Sequence, residues 1–234
     1  MRHGRLRLAS IIAFALAAML TLALGACSRA PDPSAKREAD VRVWPPASQS
    51  PTSAPSPPLV AAARAQIGVT RRYDPAYVQL AYPGGDVASD RGVCTDVVIR
   101  ALRTQGIDLQ QAVHEDMQAN FASYPAIWRA SSTDRNIDHR RVPNLRRWFE
   151  RQHWSLPVSD RAADYRPGDV VTWELRSGVP HIGIVSDRKS WDRARPLMLH
   201  NIAIGTQEDD VLFDYPITGH YRPVLKAARV SASR

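Results

Sequence analysis

Cysteine is nearly absent from this chain of 234 residues, which contains only Cys27 and Cys94. Small exported domains that depend on disulfides carry several cysteines in even number, so this scarcity argues against a disulfide scaffold. Cys27 closes an apolar N-terminal run, whereas Cys94 stands at the start of a predicted helix. If Cys27 carries a lipid, Cys94 is a single thiol that is either buried or chemically used.

Lysine and several catalytic signatures are also scarce or missing. The only lysines are Lys36, Lys189 and Lys226, and there is no dense basic block with interleaved aromatic residues that would indicate nucleic-acid binding. The sequence has no CxxC or HExxH pair, and His114-Glu115-Asp116 is too compact for a convincing metal site. No GxSxG elbow supports a serine triad. We therefore expect no metal or other cofactor and no nucleic-acid partner.

Residues 1–27 have the features of an export signal: a basic start, an apolar stretch at 11–24, and small residues before Cys27. The stretch is shorter than the about 20 residues that a permanent membrane helix needs. Leu24-Gly25-Ala26-Cys27 resembles the bacterial lipobox, which implies that Cys27 becomes a lipidated N-terminus. The alternative is an ordinary cleaved signal with an incidental cysteine. Ser28 after the cysteine implies, by the same resemblance, an outer-membrane lipoprotein that faces the periplasm.

The rest of the chain divides into a tether and one domain. Residues 28–58 are rich in Pro, Ala and Ser without apolar periodicity, which is typical of a disordered, partly extended tether. Residues 59–234 are numerous enough for one well-packed core. The formal charge is +8, and without the three arginines of the signal 28 basic residues face 23 acidic ones, or about +5. This modest excess suits anionic envelope surfaces.

The pattern of the domain predicts helices first and strands later. Helices are expected at 59–67, 94–105 and 114–121, and from Pro143 as a first helical residue. Strands are expected at 169–175, 181–186 and 196–201, with turns marked by Pro167-Gly168 and Ser177-Gly178. This order predicts an α+β fold with an antiparallel meander.

Cys94, His181 and His200 are the residues that indicate chemistry. A cysteine at a helix N-terminus meets the positive end of the backbone dipole and free N–H groups, which favour thiolate. An imidazole nearby can serve as general base and acid, and a third polar group can orient it. His181 begins one predicted strand and His200 lies near the end of the next, so an antiparallel return would bring both to one end of the sheet.

Four blocks resemble the NlpC/P60 cysteine peptidases, whose site residues follow the order cysteine, histidine, polar residue. They are Gly92-Val93-Cys94-Thr95-Asp96-Val97-Val98, Pro167-Gly168-Asp169-Val170-Val171-Thr172-Trp173, His181-Ile182-Gly183-Ile184-Val185-Ser186 and Leu199-His200-Asn201. The chain also resembles, over roughly residues 60–225, an uncharacterised bacterial envelope family with these blocks. The resemblance implies a papain-like α+β fold, with the nucleophile helix packed on an antiparallel sheet. It also implies hydrolysis of amides in peptidoglycan stem peptides through an acyl-enzyme.

Site residues are carried over from the resemblance by position. Cys94 would be the nucleophile, His181 the base and His200 the orienting group, with Asn201 as a rival because neighbours in a strand face opposite sides. Tyr82 would approximate the tyrosine that these enzymes keep near the cysteine.

Two departures bear on the substrate. Val93 replaces the usual aspartate before the cysteine, and residues 110–165 form a long insertion. The insertion contains Asp138, His139, Arg140 and Arg141, a charged run that is either a solvated loop or a substrate-recognition site, since Arg can grip a carboxylate through two hydrogen bonds.

Other interpretations of the whole domain stay open. Cys94 could be a buried core residue in a binding module that holds wall peptides without cutting them. A third possibility is an amidase or acyltransferase that acts on a lipid or another envelope amide. The sequence does not determine the oligomeric state.

Overall fold

The structure is a computed structural model that describes residues 56–127 and 131–225, all within one compact unit, Thr52–Arg234. The expected signal 1–27, the lipidation site Cys27 and nearly all of the tether 28–58 lie outside the described residues. Among the helices that are described, none has the length and apolar character needed to cross a bilayer.

The described residues contain four α-helices: α1 (Pro58–Arg64), α2 (Cys94–Arg103), α3 (Leu109–Asn120) and α4 (Val142–Arg151). Helix α1 ends three residues before the expected end of its helix at 67. Helix α3 begins five residues before the expected His114, because the Asp108 carboxylate caps it by accepting the N–H of Gln110. Pro143 lies in the first turn of α4, where a missing backbone N–H costs nothing.

Eight strands are described, and six of them form one antiparallel sheet. They are β1 (Arg72–Tyr73), β2 (Arg91–Gly92), β3 (Ser155–Leu156), β4 (Val170–Glu174), β5 (Pro180–Lys189), β6 (Pro196–Asn201), β7 (Thr206–Asp209) and β8 (Ile217–Tyr221). The sheet order is β3-β8-β4-β5-β6-β7, and β1 and β2 form a separate parallel pair. The predicted α+β class and the antiparallel meander β4-β5-β6 are confirmed. Strands β3, β7 and β8, which the sequence did not predict, extend that meander on both sides.

Alternate residues of β5 serve two cores, one on each face of the sheet. Ile182 and Ile184 pack into the larger core, which α1, α2, α3 and α4 cover. Val185 packs into a smaller core with Trp173 and Met198 on the opposite face. Because side chains alternate along a strand, each strand end offers two faces on which polar groups can meet.

Candidate active site

Cys94 is the first residue of α2 and is 5% exposed. Burial is the main reason that the pKa of its thiol is raised to about 12, and the charge of Asp96 acts in the same direction. The backbone N–H groups of Ile182 and Thr95 lower the pKa but do not offset burial. The expected stabilisation of thiolate by the helix N-terminus is therefore outweighed by desolvation, and the thiol is neutral in the free protein.

Asp96 holds the first turn of α2 in place. Its carboxylate accepts the backbone N–H of Val93 at 2.6 Å and receives Nε and Nη2 of Arg140 at 3.0 Å each. The side chain of Arg140 is only 2% exposed, and its backbone carbonyl accepts the hydroxyl of Thr95 at 3.1 Å. The turn that carries Cys94 is thus fixed to the turn around Arg140 by a buried ion pair and one further hydrogen bond.

His181 and His200 are joined by a hydrogen bond between Nε2 of His181 and Nδ1 of His200, 3.0 Å apart. Gly183 pairs with His200 in the β5–β6 register, so His181 is the diagonal neighbour of His200 on the same face. The rings are 3% and 1% exposed. Burial, with the neighbouring His200, lowers the pKa of His181 to about 3, and burial also lowers the pKa of His200. Both imidazoles are therefore neutral near pH 7.

Cys94 and the two histidines approach this end of the sheet from different faces. Cys94 belongs to the core under the helices, whereas His181 on β5 lies directly opposite Trp173 on β4, on the other face of the sheet. The thiol reaches the backbone N–H of Ile182, the residue after His181. In the described structure no hydrogen bond joins the Cys94 thiol to either imidazole.

Gly183 leaves the room that the histidine pair requires. A Cβ atom built on Gly183 would lie 2.9 Å from the carbonyl oxygen of Leu199 and 3.1 Å from Cβ of His200. Any side chain here would press on the backbone and on the imidazole-bearing residue of β6. The glycine between two isoleucines was a visible signal for this role, because glycine inside a strand often marks a close approach.

Asn201 faces away from the histidine pair. Its amide Nδ2 donates to the carbonyl of Gly92 at 3.0 Å, and its Oδ1 accepts the N–H of Gly205 at 3.2 Å. The alternation along β6 thus separates the two rivals for the orienting position: His200 contacts His181, and Asn201 anchors the segment just before Cys94.

The structure buries most of the charged run at 138–141. Asp138 and His139 are buried, and Arg140 is committed to Asp96. Asp138 accepts the N–H of Asp134 at 2.5 Å, and burial lowers the pKa of His139 to about 4. The physical reason is that a short 3-10 turn at Asp138–Arg140 carries these side chains inward against α2 and α3. Of the four residues, Arg141 alone retains substantial exposure at the cavity beside Cys94.

A cavity of about 320 Å³ lies beside Cys94, and its walls are mainly apolar. Tyr73 and the two arginines Arg140 and Arg141 supply its polar groups. Burial raises the pKa of Tyr73 to about 12, and the proximity of Cys94 contributes in the same direction. The remaining walls come from four separate segments: Pro75, Val93, Ile137 with Val142 and Pro143, and Val179 with Pro180.

The tyrosine next to the cysteine is Tyr73, not Tyr82. The Tyr82 ring packs edge-on to His114 at 5.4 Å, with the guanidinium of Arg135 5.7 Å from its centre. Tyr82 therefore lies against α3 and does not line the cavity at Cys94. Tyr73 was missed because it lies in a two-residue strand outside the cysteine block, and only the pairing of β1 with β2 carries it to the site.

Within the described ranges, no group of three or more His, Cys, Asp or Glu side chains is placed to hold a metal ion.

Comparison with known proteins places the chain among relatives of unknown activity. The family model described as "Domain of unknown function (DUF1287)" matches residues 60–223, a range that includes the whole site. The chain is 58% identical over 164 residues to the uncharacterized protein YijF of Escherichia coli (strain K12). The aligned part covers 70% of this chain and 80% of that protein.

Proposed function

The chain belongs to the DUF1287 family, and we propose that it is a cysteine-dependent amide hydrolase, an endopeptidase or amidase, that acts on peptidoglycan stem peptides. One observation above all supports this proposal: His181 and His200 are hydrogen-bonded at 3.0 Å at the end of the sheet where the Cys94 thiol meets the backbone of Ile182. Nucleophile, base and orienting group are the parts that covalent catalysis by cysteine requires.

The proposed architecture is papain-like, of the NlpC/P60 type. Helix α2, which begins with the nucleophile, packs on β5 and β6, and these strands carry the base and the orienting group. Catalytic residues held on regular elements keep their geometry better than residues on loops. The arrangement of helix and antiparallel sheet supports this assignment.

In the proposed reaction, Nδ1 of His181 takes the proton of the Cys94 thiol while the sulfur attacks the carbonyl carbon of the amide. The tetrahedral intermediate collapses when His181 returns that proton to the departing amine, which leaves a thioester on Cys94. Water, deprotonated by His181, then attacks the thioester, and the carboxylic acid and the free thiol are released. Nδ1 is assigned to this role because Nε2 is bonded to His200.

The neutral resting state of the site constrains this mechanism. With pKa values of about 12 for Cys94 and about 3 for His181, the two groups form no thiolate–imidazolium pair in the free protein. Proton transfer must therefore accompany the attack of the sulfur on its electrophile. Catalytic hydrogen bonds in enzymes without substrate are often long and tighten only when it binds.

The test is mass spectrometry of purified muropeptides incubated with the full chain, with Cys94→Ala as the matched control. The proposal expects new fragments from the native protein alone, and the fragment masses identify the bond that is cut. If the folded native protein yields no fragments beyond those of Cys94→Ala, stem peptides are not its substrate.

A second candidate function is a binding module that holds wall peptides without cutting them. The burial of Cys94 and the raised pKa of its thiol favour this alternative, because an unreactive buried cysteine is a common core residue. It predicts that muropeptides bind equally well to the native protein and to Cys94→Ala, and that iodoacetamide fails to label Cys94 at neutral pH.

A third candidate is an amidase or acyltransferase for a lipid or another envelope amide. The mainly apolar walls of the 320 Å³ cavity favour an apolar acyl group over an acidic peptide. This candidate predicts that a fluorogenic thioester with a long alkyl chain acylates Cys94 faster than one with an acidic amino acid. The opposite ranking would favour wall peptides.

We also propose that the protein is an outer-membrane lipoprotein anchored through Cys27 and facing the periplasm, with the segment 28–58 as a tether to the wall. The sequence Leu24-Gly25-Ala26-Cys27-Ser28 supports this localisation. Cys27→Ser should move the protein from the membrane fraction to the soluble fraction. Unchanged fractionation of Cys27→Ser would refute the anchor.

A further inference from the structure

His200 uses only one of its two ring nitrogens, Nδ1, in the hydrogen bond with His181. Nε2 of His200 is buried and has no hydrogen bond among the described residues. It lies 3.3 Å from Oδ2 of Asp209, a pair whose alignment falls short of a hydrogen bond. A buried polar atom without a hydrogen bond costs about 1–3 kcal/mol of stability. A small movement of Asp209 that completed a hydrogen bond to Nε2 would therefore stabilise His200 in one tautomer.

We propose that Asp209 is a positioning residue that fixes the tautomer of His200 and, through it, the tautomer of His181. This inference rests on the proposed function, because it assigns a role in preparing His181 as the base for Cys94. It adds a residue that neither the sequence blocks nor the family resemblance indicated.

The register of three neighbouring strands places these side chains in a row. His200 on β6 lies opposite Gly183 on β5 and opposite Gln207 on β7. His181 is two residues from Gly183, and Asp209 is two residues from Gln207, so both lie on the face of His200 as its diagonal neighbours. The sheet therefore holds the order His181, His200, Asp209 across one face, and the Cys94 thiol reaches the backbone N–H of Ile182, next to His181, from the other face.

The direction of the hydrogen bonds follows from the carboxylate. An ionised carboxylate only accepts hydrogen bonds, so it favours a proton on Nε2 of His200. Nδ1 of His200 then carries a lone pair and accepts the N–H of Nε2 of His181. Nδ1 of His181 is left with a lone pair, which is the state that a general base needs. With the opposite tautomers, a lone pair on His200 would face the carboxylate and Nδ1 of His181 would already hold a proton.

Asp209 is free to take this position. Its side chain is 41% exposed, and His200 is its one ion-pair partner among the described residues. Its neighbour Asp210, 34% exposed, is instead held by Arg195 through two contacts of 2.6 Å. Asp209→Asn and Asp210→Asn remove the same charge from adjacent, similarly exposed positions, and Asp210→Asn is therefore the matched control.

The experiment measures the rate at which iodoacetamide alkylates Cys94 in the full chain at pH 7, a readout that requires no knowledge of the substrate. Cys94 must be deprotonated to react, so the rate reports on the base. We expect His181→Ala and Asp209→Asn each to slow alkylation by about tenfold or more, and Asp210→Asn to match the native rate. The asparagine amide can donate to Nε2 of His200 and so favours the wrong tautomer, as in other triads whose aspartate is replaced.

Imidazole ¹⁵N spectra of the native protein at pH 7 supply a test without any substitution. We expect His200 to carry its proton on Nε2, and Asp209→Asn to move that proton to Nδ1. A proton on Nδ1 of His200 in the native protein would overturn the inference.

The outcomes separate the two proposals. Slow alkylation in His181→Ala with a native rate in Asp209→Asn would overturn the role of Asp209 and leave the proposed function intact. A native rate in His181→Ala would overturn the proposed base itself, whatever the spectra of His200.

Discussion

Two buried imidazoles in this sheet contact carboxylates, and they do so in opposite ways. His220 on β8 lies 2.8 Å from Asp169, which also receives Nε and Nη2 of Arg222 at 2.7 Å each and the N–H of Arg166 at 2.8 Å. His200 on β6 contacts another imidazole and, at 3.3 Å, a half-exposed carboxylate without aligned geometry. The first cluster is saturated with hydrogen bonds and the second is not.

This difference separates a structural cluster from a candidate proton path. Burial raises the pKa of Asp169, but the hydrogen bonds from His220, Arg222 and Arg166 outweigh it, and the net pKa is lowered. Three of the hydrogen bonds to that carboxylate, from His220 and Arg222, join the start of β4 to the end of β8. In the proposed row His181–His200–Asp209, by contrast, the direction of the hydrogen bond between the imidazoles depends on the tautomers of the two histidines.

The largest contrast is expected between the two histidines in activity. His181→Ala should lower turnover of a cleaved substrate by about 10³-fold or more, since it removes the proposed general base. His220→Ala should leave turnover per folded molecule within about twofold of the native value. Steady-state kinetics with circular dichroism as a check on folding measures both. Equal losses in the two variants would contradict the assignment of His220 to structure.

The converse contrast is expected in stability. Asp169→Ala leaves Arg222 and the buried His220 without their carboxylate, and we expect a loss of about 3 kcal/mol in the free energy of unfolding. Asp209→Ala removes a half-exposed carboxylate with one unaligned contact and should cost less than about 1 kcal/mol. Urea titration measures both values. Equal losses would show that Asp209 is as structural as Asp169.

Gly183 is a position where packing and chemistry can be separated. In Gly183→Ala the new methyl group must displace His200 or the backbone of Leu199, which should cost about 1–3 kcal/mol. We expect the ¹⁵N signals of His181 and His200 to shift while those of His220 remain in place. Native signals for His181 and His200 in this variant would contradict the close approach.

Acid should weaken the histidine pair before it weakens the Asp169 cluster. The pKa of His181 is lowered to about 3 in the folded protein from an unfolded value near 6.5, so the unfolded chain binds the extra proton. Stability from this group is therefore complete above pH 6.5 and falls as the pH drops from 6.5 towards 3. Lowering the pH from 7 to 5.5 should cost about 1 kcal/mol through this histidine.

The measurement is urea unfolding at the two pH values for the native protein and His181→Gln, in which the pH effect should be smaller by that amount. Buried His139, whose pKa is lowered to about 4, contributes in the same direction in both proteins. The folded pKa of Asp169 is lowered, so its contribution is lost only as the pH falls below the unfolded value of about 3.9. An identical pH effect in both proteins would contradict the burial of His181 as a neutral group.

Several elements could be predicted because their signals are local. Strands β4, β5 and β6 are apolar runs bounded by turn residues, and α2 has helical periodicity that begins at Cys94. Strand β7 could not be predicted, because its four residues Thr206-Gln207-Glu208-Asp209 are polar and are held in the sheet by backbone pairing with β6. With that strand missing from the prediction, Asp209 had no reason to be placed near His200.

The charged run at 138–141 shows that a local pattern of charge does not determine burial. A run of Asp, His and two Arg is typical of a solvated loop or an anion site, yet Arg140 is buried against Asp96 from a helix 44 residues earlier. Nothing near Arg140 in the sequence indicates this partner. A buried charge needs an opposite charge, and the fold alone determines which one reaches it.

The sequence by itself determined the α+β class, the three central strands, the helix that begins with Cys94, and the presence of His181 and His200 at the ends of neighbouring strands. These follow from periodicity and turn residues, which act within a few positions of the chain. The tertiary structure alone decided that the thiol is neutral, that Tyr73 lines its cavity, that Arg140 is buried in an ion pair, and that Asp209 lies beside His200. Desolvation and charge pairing depend on which distant segments pack together, and no local pattern encodes that.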